Sequence, residues 1–282
     1  MMGNPYVPFL MRIEEIIVET EDEDIKTFEL SFAGKEDEER FAYTPGQFAE
    51  ISVFGKGEAP FGMASTPTSP GRLAFSVSKV GLVTGALHRM EKGDALGVRG
   101  PLGNGYPLER FRGKNLVLVG GGFGFSTLRS LTNFIAHDSN RENYGELTVI
   151  YGARSPGLLL YKKDLESWTG RGDLRVHLTV DRSENGWHGH VGFVPDVTRE
   201  VRPEPKDACA VVCGPPAMIR FTLPVLKELG FGDENIFLSL EMRMKCGIGK
   251  CGRCNVGSKY ICSDGPVFSQ QELSRLTMEA HV

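Results

Sequence analysis

The stretch from residue 111 to residue 240 constrains the fold most strongly, because short apolar runs alternate in it with longer helical segments. The apolar runs NLVLVGGG, ELTVIYGA, LRVHLTV, CAVVCGP and NIFLSL predict buried strands. The segments FSTLRSLTNFIAHD, YKKDLESW and AMIRFTLPVLKELG predict helices, the last of them bent at Pro224. Apolar strands that alternate with helices are typical of a parallel sheet covered on both faces. We therefore predict an α/β domain over residues 111–240.

Residues 1–110 have a different pattern. The runs RIEEIIVE, FAYTPGQFAEISV, RLAFSVSKV and DALGVRG are strand-like and separated by Gly and Pro turns, which predicts a small antiparallel β-barrel or sandwich. One helix, Thr84–Met90, should interrupt the strands, with Thr84 as its N-terminal cap. Residues 241–282 are glycine-rich and irregular, so we expect an appendage that depends on cross-links.

Composition excludes several classes of protein. The 282 residues are 40% hydrophobic with a formal net charge of −4, and Lys and Arg are scattered, so a nucleic-acid partner is not indicated. The first residues lack a cationic segment followed by a long apolar stretch, and no apolar run approaches the length of a membrane span. We expect a soluble, cytoplasmic protein with no membrane span.

Four of the six cysteines are crowded near the C-terminus, at Cys246, Cys251, Cys254 and Cys262. The C-x4-C-x2-C spacing with a more distant fourth cysteine is that of plant-type [2Fe-2S] binding. Glycines between the cysteines would let backbone N–H groups approach an anionic cluster. Structural zinc sites more often pair two short C-x2-C knuckles, and disulfides usually join distant segments. The spacing favours an iron–sulfur cluster, with zinc and disulfides as open alternatives.

Two glycine-containing segments indicate a nucleotide site. The run NLVLVGGGFGF carries Gly120, Gly121, Gly122 and Gly124 from a strand into a helix, the context in which a pyrophosphate binds a helix N-terminus. Phe125 occupies the place of the third motif glycine, so a ligand-free tight turn is the alternative. The run CAVVCGPPAMI delivers Cys213 to the carboxyl edge of the predicted sheet, where such sheets bind ligands.

A further segment lies in the predicted barrel. EAPFGMASTP predicts a strand, and Gly81–Thr84 opens the helix that follows downstream. The backbone N–H groups at that helix start would suit a second phosphate group, although a plain strand and a capped helix explain the pattern equally well.

The order of these segments resembles the ferredoxin-NADP reductase superfamily. APFGMAS, GLVTGAL, GPLGNGY, LVLVGGGFG, YGAR, CGPPAM and EMRMKCGIGKCGRC follow one another from about residue 11 to residue 270. More narrowly, the chain resembles the electron-transfer subunits of dihydroorotate dehydrogenase and the gamma subunits of cytosolic NAD(P)-linked hydrogenases and sulfhydrogenases. The resemblance implies an antiparallel flavin-binding barrel, a parallel-sheet nucleotide-binding domain and a small C-terminal iron–sulfur segment.

The resemblance also implies roles for individual residues. It places FAD against Pro60, Phe61, Gly62, Met63, Ala64 and Ser65, with the flavin phosphates at Gly81, Val83 and Thr84. It places the nicotinamide nucleotide at Gly120, Gly121, Gly122, Gly124, Gly214, Pro215 and Met218. Cys213 would lie near the nicotinamide and Glu241 near the flavin, as the catalytic pair. Cys246, Cys251, Cys254 and Cys262 would bind the [2Fe-2S] cluster.

The flavin strand departs from the family pattern. Many members have Arg before the proline and a hydroxyl two residues after it, the Arg binding the flavin pyrophosphate and the hydroxyl facing the reactive edge of the ring. Here these positions are Ala59 and Gly62. Loss of such a charge-assisted contact should weaken a site by about 1.5–3 kcal/mol unless another group compensates. Candidate replacement cations are Arg72, Lys79 and Arg89, and Thr127 replaces a proline common after the nucleotide glycines.

The nucleotide preference stays open at this point. Arg154 and Ser155 follow the second strand of the predicted sheet and would suit a 2′-phosphate, but Arg154 in a solvated loop is an equally good interpretation. The sequence therefore does not choose between NADH and NADPH.

The function that the resemblance implies is electron transfer between NAD(P)H, FAD and a [2Fe-2S] cluster, and onward to a partner redox subunit of a multisubunit complex. Three kinds of partner are expected: a hydrogenase, a heterodisulfide-reductase-type subunit or a dihydroorotate dehydrogenase. One alternative is a flavin-free iron–sulfur relay or redox sensor that kept the reductase fold. Another is a self-contained reductase acting on ferredoxin or a small acceptor.

Overall fold

The structure is a computed structural model, and it describes residues 4–184 and 186–279, with side chains as far as Leu276. A six-stranded antiparallel sheet occupies the N-terminal part and surrounds a hydrophobic core in the manner of a barrel. Its strands are β1 (Phe9–Val18), β2 (Ile25–Phe32), β3 (Phe48–Val53), β4 (Gly57–Gly62), β5 (Arg72–Ser78) and β6 (Ala95–Leu102), in the order β4-β3-β6-β1-β2-β5. Short helices α1 (Lys35–Arg40), α2 (Leu82–Leu87) and α3 (Leu108–Phe111) accompany it.

Two details of this sheet differ from the sequence prediction. Strand β2 was not predicted, although its apolar residues Phe28, Leu30 and Phe32 alternate with polar residues as in a half-buried strand. Helix α2 begins two residues before Thr84, so the prediction of Thr84 as its first cap was wrong. Gly81 caps the helix, and the Thr84 hydroxyl reaches back to accept the Gly81 N–H at 2.8 Å.

The second sheet has the predicted α/β form. Its parallel strands are β7 (Asn115–Gly121), β8 (Leu147–Ala153), β9 (Leu174–Val180), β10 (His190–Val191), β11 (Ala208–Cys213) and β12 (Ile236–Ser239). Helices α4 (Phe125–Ala136), α5 (Asp138–Arg141), α6 (Lys162–Thr169), α7 (Val194–Val201) and α8 (Pro216–Glu228) connect them. Alternate residues of β7 pack into different hydrophobic cores. Leu116 and Leu118 belong to one core, and Val117 and Val119 belong to the other. Both faces of the sheet are therefore covered, as the apolar strands predict.

The C-terminal segment is part of the second sheet, which corrects the expectation of an appendage held only by cross-links. It contains β13 (Asn255–Val256), β14 (Lys259–Tyr260), α9 (Ile261–Asp264), β15 (Val267–Ser269) and α10 (Gln270–Glu279). Strand β15 pairs antiparallel with β12 and extends the order to β10-β9-β8-β7-β11-β12-β15. The Asn104 side chain donates to the carbonyls of Asp264 and Val267, which ties the segment to the barrel.

Within residues 4–184 and 186–279, no helix combines the length and the apolar composition that a bilayer crossing requires.

Candidate functional site

The glycine loop after β7 and the turn after β11 meet at the carboxyl edge of the parallel sheet. Strands β7 and β11 pair directly, so their C-terminal ends deliver Gly120 and Cys213 side by side. A β-carbon on Gly124 would lie 2.7 Å from the Gly214 Cα, so glycine is required where the two backbones touch. The two segments that the sequence linked to a nucleotide thus form one surface.

A cavity of about 640 Å³ opens on this surface. Its walls include Arg154, Asp181, Phe193, Met218 and Phe221, together with Gly121, Gly122 and Pro215. Phe193 and Phe221 are 62% and 61% exposed, unusual for large apolar side chains, and they offer flat surfaces to a planar ligand ring. Sequence analysis missed these two residues, because a single phenylalanine carries no motif, whether just before α7, as Phe193 is, or within α8, as Phe221 is.

The charged and polar groups around the cavity differ in whether they already have a partner within the protein. The Arg154 side chain is exposed at the rim. The Arg199 guanidinium is paired with Asp196 and Glu228, and the Ser155 hydroxyl donates to Glu21 at 3.2 Å. Arg154 is thus better placed than Ser155 to meet an anionic group in the cavity.

Cys213 is buried in a polar cluster between the two sheets. Its thiol accepts a hydrogen bond from Thr127 at 3.5 Å, and the Tyr106 hydroxyl donates to Thr127 Oγ1 at 3.3 Å. Burial, reinforced by the charge of Glu241, raises the pKa of Cys213 to about 12, so the thiol is neutral at neutral pH. Desolvation by the surrounding protein also raises the pKa of Glu241, although its side chain is solvent-accessible.

The predicted flavin strand coincides with β4 and the turn that follows it. Gly62 and Ser65 are partly exposed, and Ser65 Oγ accepts a hydrogen bond from the Tyr43 hydroxyl at 2.9 Å. The side chains of Met63 and Ala64 are fully buried in the protein cores. Any cofactor contact from those two residues would therefore go through the backbone.

The predicted phosphate turn lies beside this strand, since a β-carbon on Gly57 would lie 3.7 Å from Val83. The N–H groups of Val80 and Gly81 already bond to the Thr84 hydroxyl. Three apolar side chains around the turn are exposed, Phe54, Val80 and Leu82, at 60%, 84% and 69%. The turn therefore presents exposed apolar side chains, and two of its N–H groups are already bonded within the protein.

The three candidate cations near this surface are not equivalent. Arg72 pairs with Glu29 at 3.2 Å and is therefore engaged elsewhere. The Arg89 guanidinium folds back along α2, with Nη1 3.7 Å from the place of a β-carbon on Gly85. Arg89 therefore lies along the helix that follows the phosphate turn, whereas Arg72 is held by Glu29.

The four clustered cysteines lie together as two pairs. Hydrogen bonds join the thiols of Cys246 and Cys251, and those of Cys254 and Cys262. Among the described residues, no three His, Cys, Asp or Glu side chains converge as they would around one metal ion. Two thiol pairs suit a two-iron cluster, in which each iron takes two protein ligands, better than a single zinc ion.

Backbone N–H groups surround these thiols. The Cys246 sulfur accepts from Lys250 at 3.3 Å and Cys251 at 3.4 Å, and the Cys262 sulfur accepts from Gly249 at 3.1 Å. Desolvation opposes ionisation, but these amides hold the pKa of Cys246 at about 6. Gly249 has φ of +71°, a conformation that glycine adopts without strain. The amides around Cys246 therefore stabilise negative charge on that sulfur, whereas burial raises the pKa of Cys262 to about 12.

One arginine connects the cysteine loop with the flavin strand. Arg99, on β6, donates through Nη1 to the Cys246 carbonyl and through Nη2 to Glu58 of β4, both at 3.0 Å. Glu50 lies beneath this pair, with both carboxyl oxygens buried and without a hydrogen-bond partner among the residues that the structure describes. Sequence analysis missed this network, because its members are distant in the chain and belong to no motif.

Comparison with known proteins agrees with this geometry. Residues 118–223 match the oxidoreductase NAD-binding domain, and residues 241–274 match the iron-sulfur cluster binding domain of dihydroorotate dehydrogenase B. A solved structure of NADH-dependent reduced ferredoxin-NADP oxidoreductase superposes with a TM-score of 0.75 at 27% identity, covering 100% of this chain and 95% of that one. Ferredoxin NADP+ reductase from Neisseria gonorrhoeae shares the fold, with a TM-score of 0.68 at 18% identity over 81% of this chain and 96% of its own.

Two relatives extend along nearly the whole chain. The sulfhydrogenase 1 gamma subunit of Pyrococcus furiosus is 38% identical over 273 residues, which covers 94% of this chain and 92% of that subunit. The probable dihydroorotate dehydrogenase B (NAD(+)) electron transfer subunit of the same organism is 34% identical over 250 residues, covering 89% and 86%. The resemblance and the fold class inferred from the sequence are confirmed. The chain belongs to the family of the sulfhydrogenase gamma subunits and the dihydroorotate dehydrogenase B electron transfer subunits.

Proposed function

We propose that this chain is the electron-transfer subunit of a multisubunit oxidoreductase and connects NAD(P)H, FAD and a [2Fe-2S] cluster with a partner redox subunit. The observation that carries the proposal is the position of β4 between the other two sites. Gly62 of β4 lies against Thr127 and, through it, Cys213 at the nucleotide edge. Glu58 of β4 reaches the cysteine loop through Arg99. A cofactor held on β4 therefore lies between a two-electron donor and a one-electron acceptor.

The cofactors supply the redox chemistry: a flavin takes a hydride from a nicotinamide and passes single electrons to an iron–sulfur cluster. The chain's own residues bind and orient these groups. In this proposal the flavin-holding residues are Pro60, Phe61, Gly62, Met63, Ala64, Ser65, Gly81, Val83 and Thr84. The nucleotide-holding residues are Gly120, Gly121, Gly122, Gly124, Arg154, Gly214, Pro215 and Met218. The cluster ligands are Cys246, Cys251, Cys254 and Cys262.

Cys213 and Glu241 would border the reacting atoms. The raised pKa of Cys213 keeps the thiol neutral, so it offers a weak S–H donor and packing surface instead of a nucleophile. Glu241 would contribute a carboxyl group beside the reacting atoms. The sites divide the chain at residues 1–110, 111–240 and 241–282, and we propose a cytoplasmic localisation.

The flavin-free relay or sensor is not favoured. The sulfhydrogenase relative matches 94% of the chain, so the match includes the barrel as well as the cysteine segment. The exposed apolar surface at Phe54, Val80 and Leu82 also gives the barrel a place for a dinucleotide.

Cofactor analysis of the anaerobically purified protein tests the proposal. We expect bound FAD together with iron and inorganic sulfide in equal amounts. A Cys251→Ser variant should still have its flavin reduced by NADH or NADPH but should fail to pass electrons to a one-electron acceptor. Protein with zinc in place of iron, or without affinity for FAD, would contradict the proposal.

A further inference from the structure

Gly62 and Thr127 are in close contact at the junction of the two sheets, and Thr127 fills the space that a side chain at position 62 would need. A β-carbon built on Gly62 would overlap the Thr127 Cγ2 methyl group. Thr127 belongs to the first turn of α4 and is only 8% exposed, so it has little freedom to move away. Any side chain at position 62 therefore requires a different residue at position 127.

These two positions are both departures from the family pattern. The resemblance places a hydroxyl at position 62, facing the reactive edge of the flavin, and a proline at position 127. This chain has no side chain at the first position and a hydroxyl at the second. The Thr127 methyl group fills the volume beside Gly62, so the residue present at each of the two positions suits the residue present at the other.

The hydrogen bonds of Thr127 determine what its hydroxyl can do. Tyr106 donates to Thr127 Oγ1, and burial raises the pKa of Tyr106 strongly, so the phenol keeps its proton. The Thr127 proton must then point elsewhere. Its partner in the structure is the sulfur of Cys213 at 3.5 Å, and a thiol is a weak acceptor. The hydroxyl is thus an oriented donor that a stronger acceptor can capture.

We propose that Thr127 supplies, from the nucleotide-binding sheet, the hydroxyl that the flavin strand lacks at Gly62, and donates it to the reactive edge of the flavin. This inference rests on the proposed function, since it needs a flavin against β4. The contact then comes from the other sheet, beside the Cys213 thiol, and Tyr106 fixes its direction.

The Thr127→Val variant tests the donor. Valine keeps the shape and removes the hydroxyl, so the protein should fold and bind FAD with a Kd within about tenfold of the wild type. Flavin reduction by NADH in a single turnover should slow about 100-fold, because an oriented donor is lost where charge develops. The ¹⁵N NMR shift of flavin N5 should also change. Thr132→Val is the matched control, a buried hydroxyl on the same helix that bonds to the Leu128 carbonyl.

The exchange itself is tested by a double-mutant cycle on the FAD-free protein. Gly62→Ser alone should lower the Tm by about 3–10 °C, because its β-carbon meets the Thr127 methyl. The double variant Gly62→Ser/Thr127→Ala should recover most of the Tm that Gly62→Ser loses. In the FAD-bound double variant, the new serine should restore flavin reduction to within about fivefold of the wild type.

The outcomes separate the inference from the proposed function. Wild-type protein with no affinity for FAD would overturn the proposed function and this inference with it. FAD binding with an unchanged reduction rate and N5 shift in Thr127→Val would overturn the inference alone. A double variant no more stable than Gly62→Ser would show that the two positions are not an exchange pair.

Discussion

The Arg99 guanidinium donates a hydrogen bond to the Cys246 carbonyl at 3.0 Å, although 147 positions separate the two residues in the chain. The same guanidinium pairs with Glu58 at 3.0 Å, and its side chain is only 5% exposed. Partial burial opposes ionisation of Glu58, yet Arg99 and the Ser52 hydroxyl hold the pKa of that carboxyl below its usual value. The barrel and the cysteine loop are thus joined through one buried cation.

Replacing this cation should destabilise both regions at once. Arg99→Met leaves Glu58 and Glu50 without their counter-charge, and we expect a loss of about 2–4 kcal/mol in the free energy of unfolding, since Glu58 is partly solvated. Iron should also leave the variant faster than the wild type in the presence of a chelator. Denaturant unfolding and the rate of iron release measure the two effects.

Arg12→Met is the control for this prediction. Arg12 also donates its guanidinium to a backbone carbonyl, that of Gly93, but it is exposed. Its replacement should change stability by less than about 0.5 kcal/mol. Equal effects of the two substitutions would contradict the role given to Arg99.

Glu50 should make stability depend on pH. Burial raises its pKa from 4.5 to about 7, Arg99 opposes the shift, and Glu58 and Cys246 add to it. The folded state then holds a proton that the unfolded state releases, so stability is full below about pH 4.5 and falls as pH rises to about 7. Glu50→Gln should remove about 2–4 kcal/mol of this fall.

The measurement is the free energy of unfolding across that pH range. Only the slope is compared, because a buried amide has its own hydrogen-bonding cost. Glu36→Gln, at an exposed carboxyl in α1, should leave the slope unchanged. A Glu50→Gln variant with the wild-type slope would mean that the carboxyl is not buried as described.

The buried cysteines should decide whether the cluster is retained. Cys254 and Cys262 are 2% and 1% exposed and pack with Phe48, Ile261 and Phe268. Cys254→Ser should lose most of its iron and sulfide, because serine replaces a soft thiolate ligand with a poor one. Cys209→Ala, a buried cysteine in the core of the parallel sheet, should keep its full iron content. Iron retention in Cys254→Ser would remove Cys254 from the ligand set.

Arg154 should distinguish the two nicotinamide nucleotides. It is exposed on the rim of the cavity, whereas Arg199 on the same cavity is paired with acidic residues. Arg154→Gln should raise the KM for NADPH about 10-fold or more and that for NADH less than twofold, because only NADPH carries a 2′-phosphate. Steady-state kinetics with both nucleotides provide the measurement.

Arg175→Gln is the control for this comparison, since Arg175 lies near the start of β9 and pairs with Glu146, away from the cavity. It should leave both KM values unchanged. Equal changes for NADH and NADPH in Arg154→Gln would show that Arg154 does not contact a 2′-phosphate.

The sequence predicted the elements that local patterns determine. Five of the six parallel strands between residues 115 and 240 and three of the five α-helices there were predicted, because most of these strands are short, mainly apolar runs; β10 and the helix α5 were not. Helix α7 and strand β2 were missed, although the apolar residues of α7 have helical spacing and those of β2 alternate with polar residues. Strand β15 could not be predicted from its glycine-rich segment, because its pairing with β12, and not its own composition, stabilises it.

The site residues also fall into two groups, those that local sequence patterns predict and those that they do not. Motif spacing identified the four clustered cysteines and the glycines of the nucleotide loop. The structure places the members of each set close to one another. The Arg99 network and the contact between Gly62 and Thr127 join residues distant in the chain, so no spacing rule indicates them. Thr127 looked like a mild change from proline, and only its packing against Gly62 gives it a further meaning.

An anaerobic titration of the FAD-loaded protein with NADH or NADPH tests the central claim most directly. Flavin absorbance and the electron paramagnetic resonance signal of a reduced [2Fe-2S] cluster are followed together. In the wild type we expect the flavin to bleach and the cluster signal to appear, whereas in Cys251→Ser we expect the flavin to bleach without the signal. A cluster signal without flavin bleaching, or bleaching of the wild type without any cluster signal, would contradict it.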